Sequence, residues 1–329
     1  MALLVLGGAD VRALLSMREC MDAMSAVLAQ VSSGRAVLPL RTVVRLPGTS
    51  NFFATMPGGL ENALGAKVIT VFPGNEHTAL DSHQGAVLYF DPQTGELKAV
   101  MDASQITGIR TAAVSGIATE LLAQKNADDL AILGSGVQAM THLDAMLIAR
   151  PIKRVRVWSR TPTRLREFAT RAEERFRITI ECARSAREAV EGASIVCTTT
   201  ASREPVLCGE WLAPGAHVNA VGASIPTARE LDTAAVVRAR LYVDRRESAL
   251  AEAGDFLIPR MEGAITDAHI VGELGAVILG SVPGRGTSDE ITLFKSLGIA
   301  VEDVASARLL YEKAQATGTG TRVEFGATR

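Results

Sequence analysis

Three basic side chains in the first third of the chain are the strongest candidates for chemistry. Arg41 and Lys67 each interrupt an apolar segment of strand type, and Arg110 stands just before a helical segment. A cation in a buried strand requires an anion to face it. Two arginines and a lysine that converge on a cleft would hold a carboxylate and leave an ammonium group beside a reacting C=N or C=O bond. The alternative is that each side chain extends from an edge strand to the surface.

A glycine turn in the middle of the chain indicates nucleotide binding. Residues 129–139 read Asp-Leu-Ala-Ile-Leu-Gly-Ser-Gly-Val-Gln-Ala, an apolar strand that breaks into a turn and then a helix. In a dinucleotide-binding unit the first glycine allows the tight turn, the second lets the backbone approach a pyrophosphate, and the third small residue, here Ala139, packs the helix onto the strand. The cofactor-binding residues predicted from this turn are Gly134, Gly136, Val137 and Gln138.

The sequence that follows this turn decides how strongly it indicates nucleotide binding, because the glycine spacing alone is common in α/β proteins. Short apolar segments of strand length follow it, separated by helical or turn segments, at 154–159, 179–182, 194–199, 217–222 and 240–244. Between the first two, residues 163–176 form an amphipathic segment typical of a helix on a sheet. This alternation predicts an α/β fold with a doubly wound parallel sheet. We therefore predict an NAD(P)-binding Rossmann domain over residues 116–303.

The end of the second strand indicates which cofactor is bound. NAD-binding domains usually carry an Asp or Glu about 20 residues beyond the glycines, where it binds the ribose 2′-hydroxyl. Here the strand ends in Ser159, Arg160 and Thr161, with Arg164 one helical turn further on, and none is a carboxylate. A guanidinium offers a planar set of donors to phosphate oxygens. The sequence predicts NADPH (NADP+) and admits NADH; the alternative is that Arg160 is a solvated loop cation.

The first 115 residues have a different pattern. Segment 10–31 carries apolar residues at helical spacing and is predicted to be one long helix. Strand-like segments follow it, at 40–46, 51–56, 64–71 and 86–90. A turn signal at 91–95 precedes segment 97–101, which predicts a hairpin. We predict an α+β domain, mainly sheet, that supplies the substrate side of a cleft.

Composition excludes several classes of protein. With 329 residues, of which 47% are hydrophobic and 21% charged, the chain can build two cores. A net charge of −2 provides no basic surface for nucleic acid or for an anionic membrane. The first residues lack a basic region, and their apolar run is too short for a signal sequence or a membrane span. We therefore expect a cytoplasmic protein.

Cysteine and histidine spacing predicts no metal site. No cysteine pair has the C-x-x-C spacing, and buried free thiols are expected at Cys20, Cys182, Cys197 and Cys208. The five histidines are scattered. His83 could reach the cleft, although a loop histidine is usually solvated, and Asp255 receives no role.

Several stretches together resemble the ornithine cyclodeaminase and μ-crystallin family. They are Gly65-Ala-Lys-Val-Ile-Thr-Val-Phe-Pro-Gly-Asn75, Thr107-Gly-Ile-Arg-Thr-Ala-Ala-Val-Ser115 and Gly134-Ser-Gly-Val-Gln-Ala139. Residues 221–231 and 289–298 extend the similarity to nearly the whole chain. The motifs are specific in combination, far more so than the glycine turn.

The resemblance implies an NAD(P)-dependent enzyme of amino or imino acids, usually a homodimer joined through its N-terminal domains. It implies that Arg41, Lys67 and Arg110 hold the substrate carboxylate or lie against the reacting carbon. If the family arrangement holds, the helical segment 302–316 packs back on the N-terminal domain. The substrate-binding and dimerisation domain is then 1–115 with 304–329. The nicotinamide-side contacts that the resemblance implies fall near Thr111, Val221 and Leu293, and Gly222 is also predicted to bind the cofactor.

One position departs from the cyclodeaminase pattern. Cyclodeaminases of the family carry an aspartate two residues before a loop proline, where it handles the substrate amine. The matching position here is Ser224, before Pro226. A serine hydroxyl cannot act as a carboxylate base, because its pKa lies far above neutrality. The μ-crystallin branch, whose members act as NADPH-dependent ketimine reductases, has a serine there and resembles the chain better.

Three hypotheses follow for the function. The leading one is an NADPH-dependent reductase of cyclic ketimines or 2-imino acids, related in reverse to an amino-acid dehydrogenase. Arg41 and Arg110 would bind the carboxylate, Lys67 would stabilise or protonate the site, and Ser224 would line it. The second is ornithine cyclodeaminase, disfavoured by Ser224 and Arg160. The third is a non-catalytic NADPH-binding protein of crystallin type, against which the intact cations stand.

Overall fold

The computed structural model describes residues 2–78 and 80–326 and divides into two compact units. Unit 1 comprises the chain up to Arg110 together with the residues from Gly298 onward, and unit 2 comprises Thr111–Leu297.

The chain enters unit 1 through strands and helices that alternate irregularly. They are β1 (Ala2–Leu6), α1 (Gly8–Leu14), α2 (Met17–Ser32), β2 (Thr42–Arg45), β3 (Phe52–Leu60), β4 (Ala63–Val71), β5 (His83–Phe90) and β6 (Leu97–Asp102). Helix α3 (Ala103–Leu122) follows, and the division between the units falls within it.

Unit 2 alternates strands and helices, as expected for a doubly wound sheet. Its elements are β7 (Asp129–Leu133), α4 (Val137–Ala149), β8 (Arg154–Trp158), α5 (Pro162–Phe176), β9 (Glu181–Cys182), α6 (Ala186–Val190), β10 (Ile195–Thr198), β11 (His217–Ala220), α7 (Thr233–Val237), β12 (Ala239–Val243), α8 (Arg246–Glu252), α9 (Gly254–Met261), β13 (Ile270–Glu273), α10 (Leu274–Ile278) and β14 (Ile291–Lys295). The chain then completes unit 1 with α11 (Ala300–Thr317) and β15 (Thr321–Glu324).

Unit 1 is built on a mainly antiparallel sheet of seven strands in the order β15-β1-β6-β5-β4-β3-β2. The predicted hairpin is confirmed, since β5 and β6 pair antiparallel with Tyr89 opposite Ala99. Helix α11 packs on β3, β4, β5 and α2. The C-terminal helix therefore belongs to the core of the N-terminal unit and brings its first turn onto the middle of the sheet.

Unit 2 contains a parallel sheet of eight strands in the order β13-β12-β14-β11-β10-β7-β8-β9. The predicted doubly wound sheet is confirmed, with the strand order reversing direction between β7 and β10. Its core includes Leu133, Val196, Val218 and Leu293, each at most 1% exposed. Strand β14, which the sequence pattern did not predict, lies between β11 and β12, and all five of its residues are buried.

Two predicted elements of unit 1 are wrong in their extent. The predicted helix 10–31 is two helices, because Leu15 is extended (φ −107°, ψ 92°) and the Ser16 side chain caps α2 by accepting from the Glu19 amide. The predicted buried strand 40–46 begins only at Thr42, and every residue of β2 is exposed. Arg41 therefore precedes a surface strand.

One predicted buried thiol is exposed, and one strand near the end of the chain was not predicted. Cys20 and Cys197 are buried free thiols as expected, Cys208 is half-buried, and Cys182 is exposed because β9 is an edge strand of two residues. Residues Thr321–Glu324 form β15, which pairs antiparallel with β1. Across residues 2–78 and 80–326, the structure shows no helix both long and apolar enough to cross a membrane. Over the same residues it brings together no three His, Cys, Asp or Glu side chains in an arrangement that could hold a metal.

Candidate active site

Lys67 occupies the middle of β4 and is 2% exposed. Its Nζ lies 2.8 Å from Oδ2 of Asp303 and 3.5 Å from Oγ1 of Thr107. Asp303 stands in the first turn of α11, which packs on β4. The buried ammonium group thus has a buried carboxylate as its partner, as the cost of burying a lone charge requires.

Arg110 binds the same carboxylate from α3. Its Nε donates to Oδ1 of Asp303 at 3.0 Å, and Nη1 donates to Oε2 of Glu302 at 2.8 Å. Arg110 is 3% exposed, and both acids are buried. Asp303 therefore bridges Lys67 and Arg110, one oxygen to each, and holds the two cations side by side.

Gly298 brings the third predicted cation into the cluster. Its φ of +74° is left-handed, and a Cβ at this position would lie 2.3 Å from Nη1 of Arg110. Only glycine meets both demands without strain. The Gly298 carbonyl accepts a hydrogen bond of 3.3 Å from Nη2 of Arg41. The three cations singled out in the sequence are therefore brought together in unit 1.

The buried charges of this cluster are paired. Lys67 and Arg110, with all groups ionised, balance Glu302 and Asp303. Arg41 is half-buried. The cluster therefore places an ammonium group and two guanidinium groups, the donors that suit a carboxylate, in one region of unit 1.

The surroundings of Lys67 alter its acidity. Burial, followed by the positive charge of Arg110, lowers the pKa of Lys67 to about 8, although Asp303 acts in the opposite direction. Burial works to raise the pKa of Asp303, but Arg110 and Lys67 together hold it below its usual range. Lys67 is therefore mostly protonated at neutral pH and can release a proton far more readily than an ordinary lysine.

His83 lies at the start of β5 and is electrostatically linked to this cluster. Burial, followed by the positive charge of Lys67, lowers its pKa. Its Nδ1 is 3.2 Å from Oγ of Ser82, and its carbonyl accepts from the Ser104 hydroxyl. His83 is exposed at the start of β5 and lies within the electrostatic field of Lys67.

Sequence reasoning missed Glu302 and Asp303. Both stand in the first turn of a predicted helix, where acidic residues are common because they interact favourably with the helix dipole. Their sequence position therefore gave no sign that they face cations more than 190 residues away. The one available signal was that a buried lysine and a buried arginine need anionic partners inside the protein.

The glycine turn of unit 2 fits a dinucleotide phosphate. Gly134 follows β7 with φ +121°, and a Cβ there would lie 2.7 Å from Oγ1 of Thr199. Gly136 is the N-cap residue of α4, and a Cβ on it would meet nothing within 4 Å. Ala139 is completely buried, so the helix packs closely on the sheet. Open space above a helix N-terminus is what a pyrophosphate needs.

The residues predicted to bind the adenosine ribose follow the neighbouring strand, β8. Ser159 is half-buried, and its hydroxyl accepts a hydrogen bond of 2.9 Å from Ser135 in the glycine turn. Arg160 and Thr161 are exposed, and Thr161 is the N-cap residue of α5. Arg164 is exposed in the first turn of α5. The loops after β7 and β8 thus meet at the carboxyl edge of the sheet.

The remaining predicted residues of unit 2 occupy different depths. Val221 and Gly222 follow β11, and Ser224 is half-buried in the same loop. Leu293 lies inside β14 and is 1% exposed, two residues before the end of the strand. Thr111 is buried in α3. The structure brings Val221, Gly222 and the glycine turn to one edge of the sheet and places Leu293 in the core beneath it.

Comparison with known proteins identifies the lineage of this fold. Residues 2–318 match the family model described as ornithine cyclodeaminase/mu-crystallin. The chain belongs to the ornithine cyclodeaminase/mu-crystallin family. The family resemblance inferred from the motifs is thereby confirmed.

Three proteins of known activity are similar to this chain over most of their length. The mouse ketimine reductase mu-crystallin is 45% identical over 294 residues, which cover 88% of this chain and 90% of the relative. The Delta(1)-pyrroline-2-carboxylate reductase of Thermococcus litoralis, solved in complex with NADH and L-proline, is 40% identical, with a TM-score of 0.95 and coverage of 98% and 100%. An archaeal alanine dehydrogenase dimer with bound NAD is 32% identical, with a TM-score of 0.94 and coverage of 99% and 100%.

Proposed function

We propose that this protein is an NADPH-dependent reductase of cyclic ketimines or 2-imino acids. The observation that carries the proposal is the cluster in unit 1, where Asp303 holds the buried Lys67 beside Arg110 and the Gly298 carbonyl accepts a hydrogen bond from Arg41. The names of the relatives support the same reaction, since one is a ketimine reductase and another a pyrroline-2-carboxylate reductase. NADPH supplies the hydride that reduces the C=N carbon.

The residues of unit 1 divide the remaining work between them. Arg41 and Arg110 hold the substrate carboxylate, because guanidinium groups donate two hydrogen bonds in one plane. Asp303 and Glu302 fix the Arg110 guanidinium, so its orientation is set before the substrate arrives. Lys67 places its ammonium proton next to the imine nitrogen. Fixed orientation of the reactants lowers the barrier without any large movement at the moment of reaction.

The reaction balances with one proton from the protein. Hydride addition to the C=N carbon would leave the C=N π electrons to form a new N–H bond with a proton held at Lys67. The hydride would be supplied by bound NADPH, which would become NADP+. The lysine then regains a proton from water. A lysine with a pKa of about 8 suits both steps near neutrality, because it holds a proton and also yields it.

Absorbance at the nicotinamide band tests this proposal. The protein is mixed with NADPH and pyrroline-2-carboxylate or piperideine-2-carboxylate, and we expect the absorbance to fall as proline or pipecolate forms. A second mixture contains L-ornithine and NAD+. Proline and ammonia from ornithine, with no oxidation of NADPH by the imines, would refute the reductase and establish the cyclodeaminase reaction. Binding of NADPH with no turnover of any of these compounds would leave the non-catalytic alternative.

The preference for NADPH over NADH is part of the proposal. Its support is the exposed Arg160 after β8, with Ser159 and Thr161 beside it, at the position where NAD-specific domains present a carboxylate. The relatives solved with NADH or NAD leave both nicotinamide cofactors open at the level of the family.

We also propose that the protein is a homodimer joined through unit 1. Strand β2 is the last strand of its sheet, and all of its residues are exposed. Val44 on this strand is 56% exposed and Val37 before it 74% exposed. A groove of about 550 Å³ beside them is lined by residues that include Val37, Pro39, Pro57 and Leu64. An exposed apolar edge strand is typical of a protein–protein interface. A second copy of this chain is the partner that we propose, because a similar protein is a dimer.

Sedimentation velocity tests the dimer. We expect a dimer for the wild type and a largely monomeric protein for the double variant Val37→Glu, Val44→Glu. The matched control is Val323→Glu on β15, at the opposite edge of the same sheet, where the side chain is 44% exposed. A wild-type monomer at micromolar concentration, or equal dissociation in both variants, would refute this interface.

The cytoplasm is the compartment we propose. All four cysteines are free thiols, which suits a reducing environment. Cell fractionation checks this, and recovery in an oxidising compartment would contradict it.

A further inference from the structure

Glu230 is a completely buried carboxylate in unit 2 that the proposed reaction does not use. Its Oε1 accepts hydrogen bonds from the backbone amide of Thr200 at 2.6 Å and from the Thr200 hydroxyl at 2.7 Å. Its Oε2 accepts from the backbone amide of Gly222 at 2.6 Å and from the Thr198 hydroxyl at 2.8 Å. One side chain thus joins the loop after β10 to the loop after β11.

Both loops lie at the edge of the sheet where dinucleotides bind. In doubly wound sheets, ligands bind outside the carboxyl ends of the strands, at the point where the strand order reverses. Here that point lies between β7 and β10. Thr199, between the two threonines that bind Glu230, donates its amide and hydroxyl to the Leu133 carbonyl at the end of β7. Thr199 therefore connects the two threonines that bind Glu230 to the end of β7, where the glycine turn begins.

A second carboxylate holds Glu230 in place. Oδ1 of Asp255 accepts from the backbone amides of Glu230 at 2.8 Å and Leu231 at 3.0 Å. Its Oδ2 lies 3.0 Å from Nζ of Lys295, the last residue of β14. Asp255 and Lys295 are at most 2% exposed. The chain of contacts therefore runs from the end of β14 through α9 to the loops after β11 and β10.

Gly222 packs directly against the Thr200 backbone and the Glu230 carboxyl group. A Cβ on Gly222 would lie 2.0 Å from the Thr200 carbonyl oxygen and 2.6 Å from the Glu230 carboxyl group. Only a residue without a side chain allows this approach. The two loops and the carboxylate thus form one close-packed unit, in which the position of each depends on the other two.

We propose that Glu230 is a positioning residue that sets the loops after β10 and β11 for binding of the nicotinamide cofactor. Both of its oxygens must accept, because each faces a backbone N–H that cannot turn away. Asp255 and Lys295 fix the backbone from which Glu230 reaches the loops. This inference rests on the proposed cofactor binding by unit 2. It adds Glu230, Asp255 and Lys295 as residues that hold the cofactor-binding loops in position.

Replacement of Glu230 by glutamine tests the inference. Whichever oxygen becomes the amide nitrogen, that –NH2 group must face the amide of Thr200 or of Gly222, so one loop loses its acceptor. We expect Glu230→Gln to raise the Kd for NADPH, measured by fluorescence of the bound nicotinamide, at least tenfold. The KM for the imine should change less than twofold, since the carboxylate-binding cations belong to unit 1.

The matched control is Glu290→Gln in the same unit. Glu290 also accepts from a side chain and a backbone amide, those of Arg240 and Gly286, but it precedes β14 and so lies at the amino edge of the sheet. We expect this variant to lose stability while its Kd for NADPH stays within twofold of wild type. A milder variant, Thr200→Val, keeps the backbone amide and removes one hydroxyl donor, and should raise the Kd about threefold. It serves as the test if Glu230→Gln does not fold.

The outcomes separate this inference from the proposed function. A Glu230→Gln protein that melts at a lower temperature but binds NADPH as tightly as Glu290→Gln would overturn the positioning role. For a Glu230→Gln protein that does not fold, an unchanged Kd in Thr200→Val would do the same. A wild-type protein that binds neither NADPH nor NADH would overturn the proposed function and this inference together.

Discussion

Asp303 in unit 1 and Glu230 in unit 2 are both completely buried, yet their pKa values move in opposite directions. Burial, with the negative charge of Asp255 next, raises the pKa of Glu230. Burial also works against ionisation of Asp303, but Arg110 and Lys67 outweigh it and lower the pKa. The difference lies in what faces each carboxylate. Asp303 contacts two cations directly, whereas Glu230 contacts hydroxyl and amide groups and meets Lys295 only through Asp255.

This contrast indicates two uses of a buried carboxylate. A carboxylate paired with cations sets the charge and acidity of its neighbours, which is what a site that moves a proton requires. A carboxylate bound to neutral donors from two loops fixes geometry, because hydrogen bonds are directional and an unmatched buried donor is costly. Changes in unit 1 should therefore affect turnover and its pH dependence, and changes in unit 2 should affect cofactor affinity.

The largest effect is expected from Lys67→Met. Loss of a positioned proton donor costs about 10²–10⁴-fold in rate, so we expect kcat to fall about a thousandfold. The Kd for NADPH should stay within twofold, because the residues proposed to bind the cofactor belong to unit 2. Steady-state kinetics and nicotinamide fluorescence measure the two quantities.

The control for this variant is Lys98→Met, which removes a half-buried lysine of unit 1 paired with Glu96. It should retain full activity. An unchanged kcat in Lys67→Met would remove Lys67 from the reaction and with it the contrast between the two units.

A smaller effect, confined to the cofactor, is expected from Arg160→Asp. The change removes a donor to the 2′-phosphate and introduces a like charge, together worth about 2–3 kcal/mol. The Kd for NADPH should rise about a hundredfold and that for NADH less than threefold. Titration of both cofactors by fluorescence gives the ratio, with Arg171→Asp on the exposed face of α5 as the control. Equal affinities of the wild type for NADPH and NADH would contradict the assignment.

The smallest expected effect is a shift in pH dependence. In the proposed reaction Lys67 must carry a proton, and its pKa is about 8, so kcat/KM of the wild type should fall as the pH rises through 8. In Asp303→Asn the negative charge that favours the protonated lysine is gone, while Arg110 remains. The pKa of Lys67 should fall, and activity should be lost at a lower pH, by about one unit.

Glu230→Gln, the corresponding acid-to-amide change in unit 2, is the variant with which the pH dependence of Asp303→Asn is compared. Glu230→Gln should leave this alkaline limb in place, because Glu230 contacts no group of the Lys67 cluster. Asp303→Asn should also be less stable, by about 3 kcal/mol, since it leaves the buried Lys67 ammonium group without its carboxylate partner. An alkaline limb at the same pH in wild type and Asp303→Asn would show that Lys67 is not the group that titrates.

The sequence predicted the parts of this molecule that depend on local pattern. The glycine turn, the parallel sheet around it and the hairpin of β5 and β6 follow from turn residues and hydrophobic period. Arg41 and Lys67 stood out because they interrupt apolar segments, and Arg110 because it stands just before a helical segment. The split between α1 and α2 was missed although Ser16 and Glu19 have capping spacing, because the apolar period continues across Leu15.

The parts that depend on distant contacts could not be predicted in this way. Glu302 and Asp303 look like ordinary helix N-terminal acids until α11 is placed on β4. Glu230 follows a short loop with no periodic pattern, and Asp255 had no assignable role before both were found against the ends of β10, β11 and β14. Pairing of charges far apart in the chain is a property of the fold, and one sequence does not reveal it.

The central claim is that the protein transfers a hydride from the nicotinamide to the carbon of a C=N bond beside a carboxylate. The most direct test is reduction of pyrroline-2-carboxylate with NADPH deuterated at the transferred position of C4, followed by mass spectrometry of the product. We predict proline that is one mass unit heavier, with the deuterium on C2. No oxidation of the cofactor in the presence of pyrroline-2-carboxylate, or proline that arises only from ornithine together with ammonia, would contradict the account.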